Sequence, residues 1–258
     1  IKNTTEIALF KRGATGDFTN VIGEIPSEIG NLINLRALAL DGNKLTGTIP
    51  AELGKLKNLT YLNLGKNKLI GEIPEDIWNL TNLIILNLGS NQLSGEISNN
   101  LGNLENLRDL NLAGNLFTGS IPVEIGNLKK LEELILGGNK LNGVIPKNIE
   151  NLTNLFILSL NNNQLNGEIP SEINNLVNLR YLILQNNKIR GKIPQEIGNL
   201  KNLEHIYIFD NQLSGDIPES LCQIKDQCGK KFIINNNNFC DYFPPCLTAD
   251  DIGEQNCP

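Results

Sequence analysis

The chain has 258 residues, of which 40% are hydrophobic and 19% are charged, with a formal net charge of −6 at pH 7. This hydrophobic content is sufficient for a core, while the acidic balance argues against a protein that binds nucleic acid or an anionic membrane surface. No apolar run reaches the roughly 18 residues needed to span a bilayer, and no N-terminal signal pattern is present, so we expect a mature or trimmed soluble portion of a protein.

The chain begins with an irregular segment, residues 1–22. Ile7-Ala8-Leu9 is typical of a first short strand. About seven extra residues separate it from the Gly23-Glu24-Ile25-Pro26 turn compared with later units, so we expect a loop over Lys11 to Thr19. A Gly-Ala-Thr-Gly stretch in this loop is not a phosphate-binding loop, because the lysine and the helix context are lacking.

Residues 23–218 consist of one 24-residue unit copied along the chain. An asparagine recurs at every 24th position from Asn43 to Asn211, and a Gly-x-Ile pattern keeps the same interval from Gly23 to Gly215. Proline follows the isoleucine in each of these turns except one, which has Ser98. No unit can bury its leucines alone, so stability must come from stacking neighbouring units around a shared core.

The pattern inside a unit predicts a strand, a bend and one helical turn. Leu38-Ala39-Leu40 is expected to be a short strand with its leucines pointing inward, because side chains alternate across a strand. Pro50 suits the start of a single helical turn, since proline has a fixed φ and no backbone N–H. We interpret the asparagine column, which includes Asn43, as structural: its side chains would bond backbone groups of adjacent units that are otherwise buried without partners.

Residues 219–258 are predicted to form a C-terminal cap that contains all five cysteines of the chain. Cysteines clustered in this way suit a disulfide-closed cap in an oxidising compartment. A zinc site is less well supported, because the spacings lack a CxxC pair. Phe232, Ile234, Asn237 and Phe239 predict a final strand displaced by two residues from the 24-residue register. Five cysteines allow many pairings, and the sequence alone does not choose among them.

The pattern LxxLxLxxNxLxGxIPxxLxxLxx, matched by Leu35 to Asn58 and its copies, resembles the plant-type class of leucine-rich repeats, which includes receptor-kinase ectodomains and polygalacturonase-inhibiting proteins. The resemblance implies one α/β solenoid domain over residues 1–258, a right-handed horseshoe or superhelix. Its parallel β-sheet would be concave, with one-turn 3₁₀ helices on the convex side, a short extra strand near Gly-x-Ile-Pro and a disulfide-bearing C-terminal cap.

The resemblance also suggests a disulfide pairing. Similar caps carry cysteines after an asparagine-rich bend, which Asn235 to Cys240 resembles. It favours a bridge between Cys240 and Cys246 and makes one between Cys222 and Cys228 plausible, which leaves Cys257 without a partner.

The outward strand positions form columns in which residues 24 apart become near neighbours, since adjacent strands lie about 4.8 Å apart. Aromatic residues make up only 5% of the chain, yet several gather with apolar ones in the later units. Exposed aromatic and apolar groups are the usual anchors of protein interfaces. The predicted partner-binding residues are Tyr61, Phe156, Ile157, Tyr181, Ile183, His205, Tyr207 and Phe209. Alternatively, Phe156 or Tyr181 packs against its neighbours and only shields the sheet.

Catalytic and metal sites are not indicated by the sequence. His205 is the only histidine, and it lacks a nearby serine or cysteine nucleophile or a second metal ligand. Asp109, Glu132 and Glu133 could be taken for a catalytic carboxylate pair, but no apolar pocket that would raise a pKa is apparent. We interpret them as interface charge or solvation, and we expect no enzyme activity, cofactor or metal ion.

The resemblance implies a non-enzymatic extracellular recognition module, secreted or part of a cell-surface ectodomain, that binds a protein or peptide through its concave or lateral surface. Three alternatives remain: a structural or adhesion protein of a cell surface or matrix, an inhibitor of a secreted hydrolase, and an ice-binding protein, although the column from Thr46 to Ser214 is irregular for ice. Sequons that would carry glycans in a eukaryotic secretory route begin at Asn3, Asn58, Asn79 and Asn151.

Overall fold

A computed structural model describes residues 4–9, 20–228, 232–240 and 242–257. Over this part, the chain forms a stack of coils, and each regular coil has a strand on one side and a short 3₁₀ helix on the other. This is the unit that the 24-residue period predicts. The loop predicted for Lys11 to Thr19 lies outside the described residues.

The strands share one direction and pair with their copies in neighbouring coils. In chain order they are β1 (Glu6–Ala8), β2 (Ile22–Glu24), β3 (Ala37–Ala39), β4 (Lys44–Thr46), β5 (Tyr61–Asn63), β6 (Ile70–Gly71), β7 (Ile85–Asn87), β8 (Gln92–Leu93), β9 (Asp109–Asn111), β10 (Glu133–Ile135), β11 (Ile157–Ser159), β12 (Tyr181–Ile183), β13 (Arg190–Gly191), β14 (His205–Tyr207), β15 (Gln212–Leu213) and β16 (Phe232–Ile233). Ten of these described strands form the parallel main sheet, in the order β1-β3-β5-β7-β9-β10-β11-β12-β14-β16.

The register of the main sheet is regular in the middle and shifted at both ends. From β3 to β14 each residue pairs with the residue 24 positions later, as Tyr61 does with Ile85. At the first step Glu6 pairs with Ala37, which accounts for the seven extra residues of the first unit. At the last step Ile206 pairs with Phe232, two positions beyond the regular interval, and this confirms the displacement predicted for the final strand.

The leucines of the repeat fill one continuous core between the strands and the 3₁₀ helices. Leu38, Leu62 and Leu86, the middle residues of their strands, have no exposed surface. Burying a leucine side chain contributes roughly 2 kcal/mol. The repeated leucine columns are therefore the main source of stability, and each coil depends on its neighbours to cover them.

The asparagine column connects the backbones of adjacent coils. Asn115 is 6% exposed, and its Nδ2 donates at 3.0 Å both to the Leu112 carbonyl of its own coil and to the Leu88 carbonyl of the coil before. Its Oδ1 accepts a hydrogen bond from the backbone N–H of Leu93 at 3.0 Å. The same arrangement recurs from Asn43 to Asn237 and confirms the structural role predicted for this column.

One short 3₁₀ helix completes each regular coil. In chain order these helices are Ser27–Asn31, Ala51–Lys55, Glu75–Asn79, Asn99–Asn103, Val123–Asn127, Lys147–Asn151, Ser171–Asn175, Gln195–Asn199 and Glu219–Leu221. The residue before each helix is proline, such as Pro50 with φ −70°, except at Ser98. There the serine Oγ accepts a hydrogen bond from the Asn100 backbone N–H at 3.2 Å, so a side-chain cap stands where the other coils have proline.

Short parallel strand pairs β2-β4, β6-β8 and β13-β15 lie at or just before the Gly-x-Ile-Pro turns, which confirms the extra strand implied by the resemblance. The glycine of this turn is required by its conformation and by close packing. Gly47 has φ +74°, and a Cβ at this position would lie 2.8 Å from side-chain atoms of Glu24 in the preceding coil.

Trp78, the only tryptophan of the chain, lies where several other coils have glycine. At one of these glycines, Gly54, a Cβ would lie 2.4 Å from the Cβ of Asp76 in the next 3₁₀ helix. Trp78 is nevertheless only 1% exposed, and its indole Nε1 has no hydrogen-bond partner among the described residues. Consistent with this bulk, the 3₁₀ helices Glu75–Asn79 and Asn99–Asn103 pack less closely than the other consecutive pairs.

The C-terminal cap closes the end of the core with α1 (Cys222–Cys228), β16 and α2 (Ala249–Ile252). Phe232 and Phe239 are buried against the last coil. Lys225 and Asp251 form an ion pair at 2.6 Å with both side chains largely buried. The cap therefore covers the last leucine layer and joins its own helices through a buried charge pair.

Two disulfides hold the cap, and their pairing differs from the predicted one. Cys222 is bonded to Cys246 and Cys240 to Cys257, with Cα–Cα distances of 5.7 and 5.6 Å. The predicted Cys222–Cys228 bridge is wrong because α1 runs from one residue to the other, and six residues of helix separate their Cα atoms by about 9 Å, beyond the reach of a disulfide. The predicted Cys240–Cys246 bridge is also wrong, since each of these cysteines has another partner, and Cys257 is paired.

Candidate functional site on the open face of the sheet

The outward side chains of the main sheet form a surface that we call the open face. The first and third residues of each three-residue strand point outward, while the second points into the core. The residue before the strand and the second residue after it, such as Arg180 and Gln185 around β12, add a column along each edge. Because the strands are parallel and in register, side chains 24 positions apart lie about 4.8 Å apart in each column.

Three rings, those of Tyr181, His205 and Tyr207, lie close together on the last strands of this face, and Phe209 follows Tyr207 by two residues. We call these four residues the aromatic cluster. The ring centroids of Tyr181 and His205 are 4.5 Å apart, and those of His205 and Tyr207 are 5.8 Å apart in an edge-to-face arrangement. The Tyr207 hydroxyl lies 3.2 Å from Nδ1 of His205. All four side chains are half-exposed. Mutual contacts restrict the rings of Tyr181, His205 and Tyr207, so these side chains would lose little conformational entropy when a partner binds.

The first strands of the open face carry short polar side chains tied to their own backbone. The third residue of β5, β7 and β9 is asparagine, and Asn87 Oδ1 accepts a hydrogen bond from the Gly89 backbone N–H at 3.0 Å, as its equivalents do at theirs. A Cβ at Gly89 would lie 2.7 Å from Oδ1 of Asn111, so glycine leaves room for the next asparagine. The third strand position of this part of the face is therefore polar, while the first position carries the half-exposed side chains of Tyr61 and Ile85.

A carboxylate pair lies between these two regions. Asp109 and Glu133 are direct partners on β9 and β10, and Ile85 and Ile157 are the next residues on either side in the same column. Neither carboxylate has an ion-pair partner among the described residues, and Asp109 Oδ1 is enclosed without a hydrogen-bond partner there.

The surroundings of this pair change its proton affinity. Burial, followed by the charge of Glu133, raises the pKa of Asp109 to about 6. Burial, followed by the charge of Glu132, also raises the pKa of Glu133. The prediction that no apolar surroundings raise a pKa here is therefore wrong, because two carboxylates lie side by side within a column bounded by isoleucines.

A pocket of about 640 Å³ lies along the edge of the open face beside the aromatic cluster. We call it the flank pocket, and it is lined by Glu132, Asn154, Phe156, Asn178, Arg180, Tyr181 and Asn202. Glu132 forms an ion pair with Arg108 at 2.6 Å, and Arg180 forms one with Glu204 at 3.4 Å. The pocket thus has aromatic walls and charged groups that already hold partners.

The asparagines of the flank pocket are oriented by hydrogen bonds to the backbone. Each of the three donates its Nδ2 to a backbone carbonyl of the preceding coil, as Asn178 does to the Thr153 carbonyl at 2.8 Å. Among the described residues no donor bonds to their amide oxygens, so these oxygens and the second N–H of each amide are open to a ligand.

Two further properties bear on function. The described residues contain no group of three or more histidine, cysteine, aspartate or glutamate side chains that could hold a metal ion. Among the helices in the described ranges, none is long and apolar enough to cross a membrane.

Sequence models of leucine-rich repeats match most of the chain. A model described as a leucine-rich repeat region matches residues 23–115, a two-copy repeat model matches residues 177–222, and a single-repeat model matches residues 106–128, 130–152 and 154–176. The chain belongs to the leucine-rich repeat family. A comparison with curated proteins found no match.

Solved structures place this leucine-rich repeat protein in the plant-type class. The plant peptide hormone receptor RGFR1 in complex with RGF2 matches with a TM-score of 0.86 and 36% identity, over 88% of this chain and 36% of that one. The Arabidopsis receptor kinase HAESA in complex with the peptide hormone IDA and the co-receptor SERK1 gives 0.84 and 38%, over 87% and 37%. A plant ice-binding protein gives 0.80 and 28%, over 93% and 78%. This chain thus spans little more than a third of the two receptor chains.

The structure brings seven of the eight predicted partner-binding residues of this leucine-rich repeat protein to one region of the open face. These are Phe156, Ile157, Tyr181, Ile183, His205, Tyr207 and Phe209, all half-exposed on or beside β11, β12 and β14. Tyr61 is separate, since it lies on β5, five strands from β12 in the sheet, and its hydroxyl accepts a hydrogen bond from Asn63 at 3.1 Å. Partner binding by these residues stays a prediction.

Sequence reasoning missed the flank pocket, including Asn154, Asn178 and Asn202. Their 24-residue spacing predicts that these asparagines lie next to one another. The spacing does not predict the pocket, because the pocket also depends on how Phe156 and Arg180 project beside them.

The described sequon asparagines are all exposed. Asn79 and Asn151 end their 3₁₀ helices, while Asn58 donates its Nδ2 to the Ile33 carbonyl at 2.9 Å, a bond that a glycan would have to accommodate. Asn3 lies outside the described residues. Glycosylation of these sites stays a prediction.

Proposed function

We propose that this leucine-rich repeat protein is a non-enzymatic extracellular recognition module that binds a peptide or a short protein segment across β11, β12 and β14 of the open face. The observation that carries the proposal is the aromatic cluster. Its rings are half-exposed and those of Tyr181, His205 and Tyr207 contact one another, although the fold is equally regular without such a cluster in the first coils. Rigid, exposed aromatic groups are the side chains that most often anchor an interface.

The relatives support this class of ligand. RGFR1 and HAESA are both described in complex with a peptide, and their likeness to this chain covers 88% and 87% of it. An extracellular location is supported by the two disulfides of the cap, which persist in oxidising compartments.

The test is a selection from a displayed library of random 12-residue peptides on the immobilised full chain. We expect enriched peptides whose binding falls at least about 100-fold in Tyr207→Ala plus Phe209→Ala, because truncating central aromatic anchors costs the most affinity. The matched control is Asn87→Ala plus Asn111→Ala, which removes two side chains from the first part of the same face and should leave binding unchanged. Selection that enriches nothing, or binding that ignores Tyr207 and Phe209, would refute recognition through this surface.

Ice binding is a second candidate, because the plant ice-binding protein is matched over most of its own length. The structure adds an unbroken column of exposed asparagines that the sequence reasoning did not consider: Asn79, Asn103, Asn127, Asn151, Asn175 and Asn199, the last residues of six successive 3₁₀ helices. A regular array of this kind is what an ice surface requires. Thermal hysteresis that disappears in Asn127→Lys plus Asn151→Lys would support ice binding, and its absence in the unmodified chain would exclude it.

A further inference from the structure

The charged side chains that line the flank pocket are neutralised by their neighbours. Glu132 is held by Arg108 at 2.6 Å, and Arg180 by Glu204 at 3.4 Å. The Tyr181 hydroxyl donates a hydrogen bond to the other carboxylate oxygen of Glu204 at 3.3 Å. An ionic ligand would have to break one of these contacts or remain without a counter-charge, and both are costly. The pocket therefore favours an uncharged ligand.

Three asparagine amides give the pocket a regular set of donors and acceptors. Asn154, Asn178 and Asn202 lie one coil apart, and each donates one N–H to a backbone carbonyl of the preceding coil at 2.8 Å. The carbonyl oxygen and the second N–H of each amide bond nothing among the described residues. Because adjacent coils are about 4.8 Å apart, the amides form a short ladder of paired donors and acceptors.

The same asparagine column has different surroundings in the earlier coils. Asn106 also donates to the preceding coil, but its Oδ1 accepts a hydrogen bond from Lys130 Nζ at 2.7 Å. The residue two positions after Asn82 is Ile84, where the equivalent residue beside the pocket is Phe156. The bond to the preceding coil is therefore common to the repeat, whereas the open amides beside aromatic side chains belong to the flank pocket.

The remaining walls of the pocket suit the face of a sugar ring. Phe156 and Tyr181 are both half-exposed and line the volume of about 640 Å³. The electron-rich face of an aromatic ring attracts polarised C–H groups, and small-molecule sites commonly combine such walls with a few placed polar groups. A sugar ring has C–H groups on its faces and hydroxyls around its rim. Since each hydroxyl both donates and accepts, it can use both open groups of an asparagine amide.

We propose that the flank pocket binds a neutral sugar unit, whose ring contacts Phe156 or Tyr181 while its hydroxyls bond the amides of the three asparagines. This site goes beyond the peptide recognition proposed above and does not require Tyr207 or Phe209. The sugar belongs either to a free oligosaccharide or to a glycosylated peptide, since both present the same ring and hydroxyls.

The test is an array of immobilised oligosaccharides that is probed with the full chain. It carries neutral di- to tetrasaccharides of glucose, galactose, mannose, xylose and arabinose, and galacturonic acid oligomers of the same lengths as the charged comparison. We expect neutral saccharides to bind, and the best of them to have a Kd of about 1 mM or lower by titration calorimetry. Raising NaCl from about 50 to about 500 mM should leave this affinity unchanged, because the ligand has no charge to screen.

Variants within the repeat provide matched controls. Phe156→Ala should weaken binding of the best saccharide roughly tenfold or more, and Asn178→Ala about fivefold. Ile84→Ala and Asn82→Ala change the same two columns away from the pocket and should leave the affinity unchanged. Asn82 also donates to the preceding coil at 2.8 Å, so both asparagine variants lose the same structural bond. Urea denaturation should show similar losses of stability for the two.

The source of the sugar is tested by attaching the best saccharide to a serine in a short peptide. Equal affinity of the free and attached forms would identify the saccharide alone as the ligand. Tighter binding of the attached form, with the gain lost in Tyr207→Ala plus Phe209→Ala, would identify a glycosylated peptide. Either result supports the sugar site.

Three results would overturn the proposal: no neutral saccharide with a Kd below about 10 mM, preferential binding of the galacturonic acid oligomers, or an affinity that ignores Phe156→Ala. Equal loss of affinity in Asn82→Ala and Asn178→Ala would also overturn it, since the effect would then be structural. The double variant Tyr207→Ala plus Phe209→Ala should retain binding of the free saccharide. Failure of the sugar site and failure of peptide recognition are therefore distinguishable.

Discussion

From β5 to β9 the open face carries asparagines bonded to their own backbone, with Tyr61 and Ile85 as isolated larger side chains, whereas from β11 to β14 half-exposed aromatic and apolar side chains lie next to one another. The two regions have the same strand pairing, the same columns of buried leucine or isoleucine and the same asparagine column. The requirements of folding are therefore met in both, and they do not explain the rings of the second region. The comparison shows which side chains the fold needs and which remain available for binding a partner.

The largest expected effect tests which asparagines the fold needs. In Asn115→Ala a buried N–H and two carbonyl groups lose their partner, which should lower the free energy of unfolding by roughly 4 kcal/mol. Asn111→Ala removes one bond on the partly exposed face and should cost less than about 1 kcal/mol. Urea denaturation of both variants measures this. Equal losses would show that the face asparagines are as structural as the column.

Removing a disulfide of the cap should speed hydrogen exchange in the second region and leave exchange in the first region unchanged. Cys222→Ala plus Cys246→Ala opens a loop closed across 24 residues, and the chain-entropy model gives a loss of about 3 kcal/mol. Because β16 pairs with β14, hydrogen exchange should become faster at β14 and β16. Exchange at β5 and β7 should stay as slow as in the wild type. Uniform acceleration along the sheet would mean that the stack opens as one unit.

The smallest effect concerns the carboxylate pair at the boundary. The folded-state pKa of Asp109, about 6, lies above the ordinary aspartate value of 3.8, so the folded chain binds the proton more tightly than the unfolded chain. The stabilisation that this tighter proton binding gives to the folded chain is complete below pH 4. It is lost as the pH rises through 6. The shift corresponds to at most ~3 kcal/mol, and solvent screening at this partly exposed side chain reduces it to on the order of 1 kcal/mol.

Asp109→Asn should therefore raise the free energy of unfolding at pH 7 by about 1 kcal/mol relative to its effect at pH 4. Asp216→Asn, at an exposed carboxyl outside the face, is the control and should show no such dependence. Urea denaturation at the two pH values provides the measurement. The same difference at both would contradict a raised pKa at Asp109.

Periodicity made the interior of this molecule predictable. Leu38, Asn43 and Pro50 each belong to a column of equivalent residues with similar surroundings in every coil. The strand alternation and backbone hydrogen bonding of one unit therefore predict those of the other units. The position of the aromatic rings followed from the same register, since residues 24 apart had to become neighbours.

The parts that sequence reasoning missed depend on contacts that do not repeat. The cap has no periodic copy, and its pairing became clear only when α1 was seen to hold Cys222 and Cys228 apart. The raised pKa of Asp109 depends on the side chains that enclose it, and the flank pocket depends on how Phe156 and Arg180 lie beside Asn154, Asn178 and Asn202.

The lone indole in the third coil has a practical consequence. Trp78 is the chain's single tryptophan, it is fully enclosed, and it lies in the region that carries no aromatic cluster. Its fluorescence emission should shift to longer wavelength only when that end of the stack admits water. The molecule thus contains an intrinsic optical reporter for its first coils, and circular dichroism recorded in parallel would reveal whether the later coils melt at the same urea concentration.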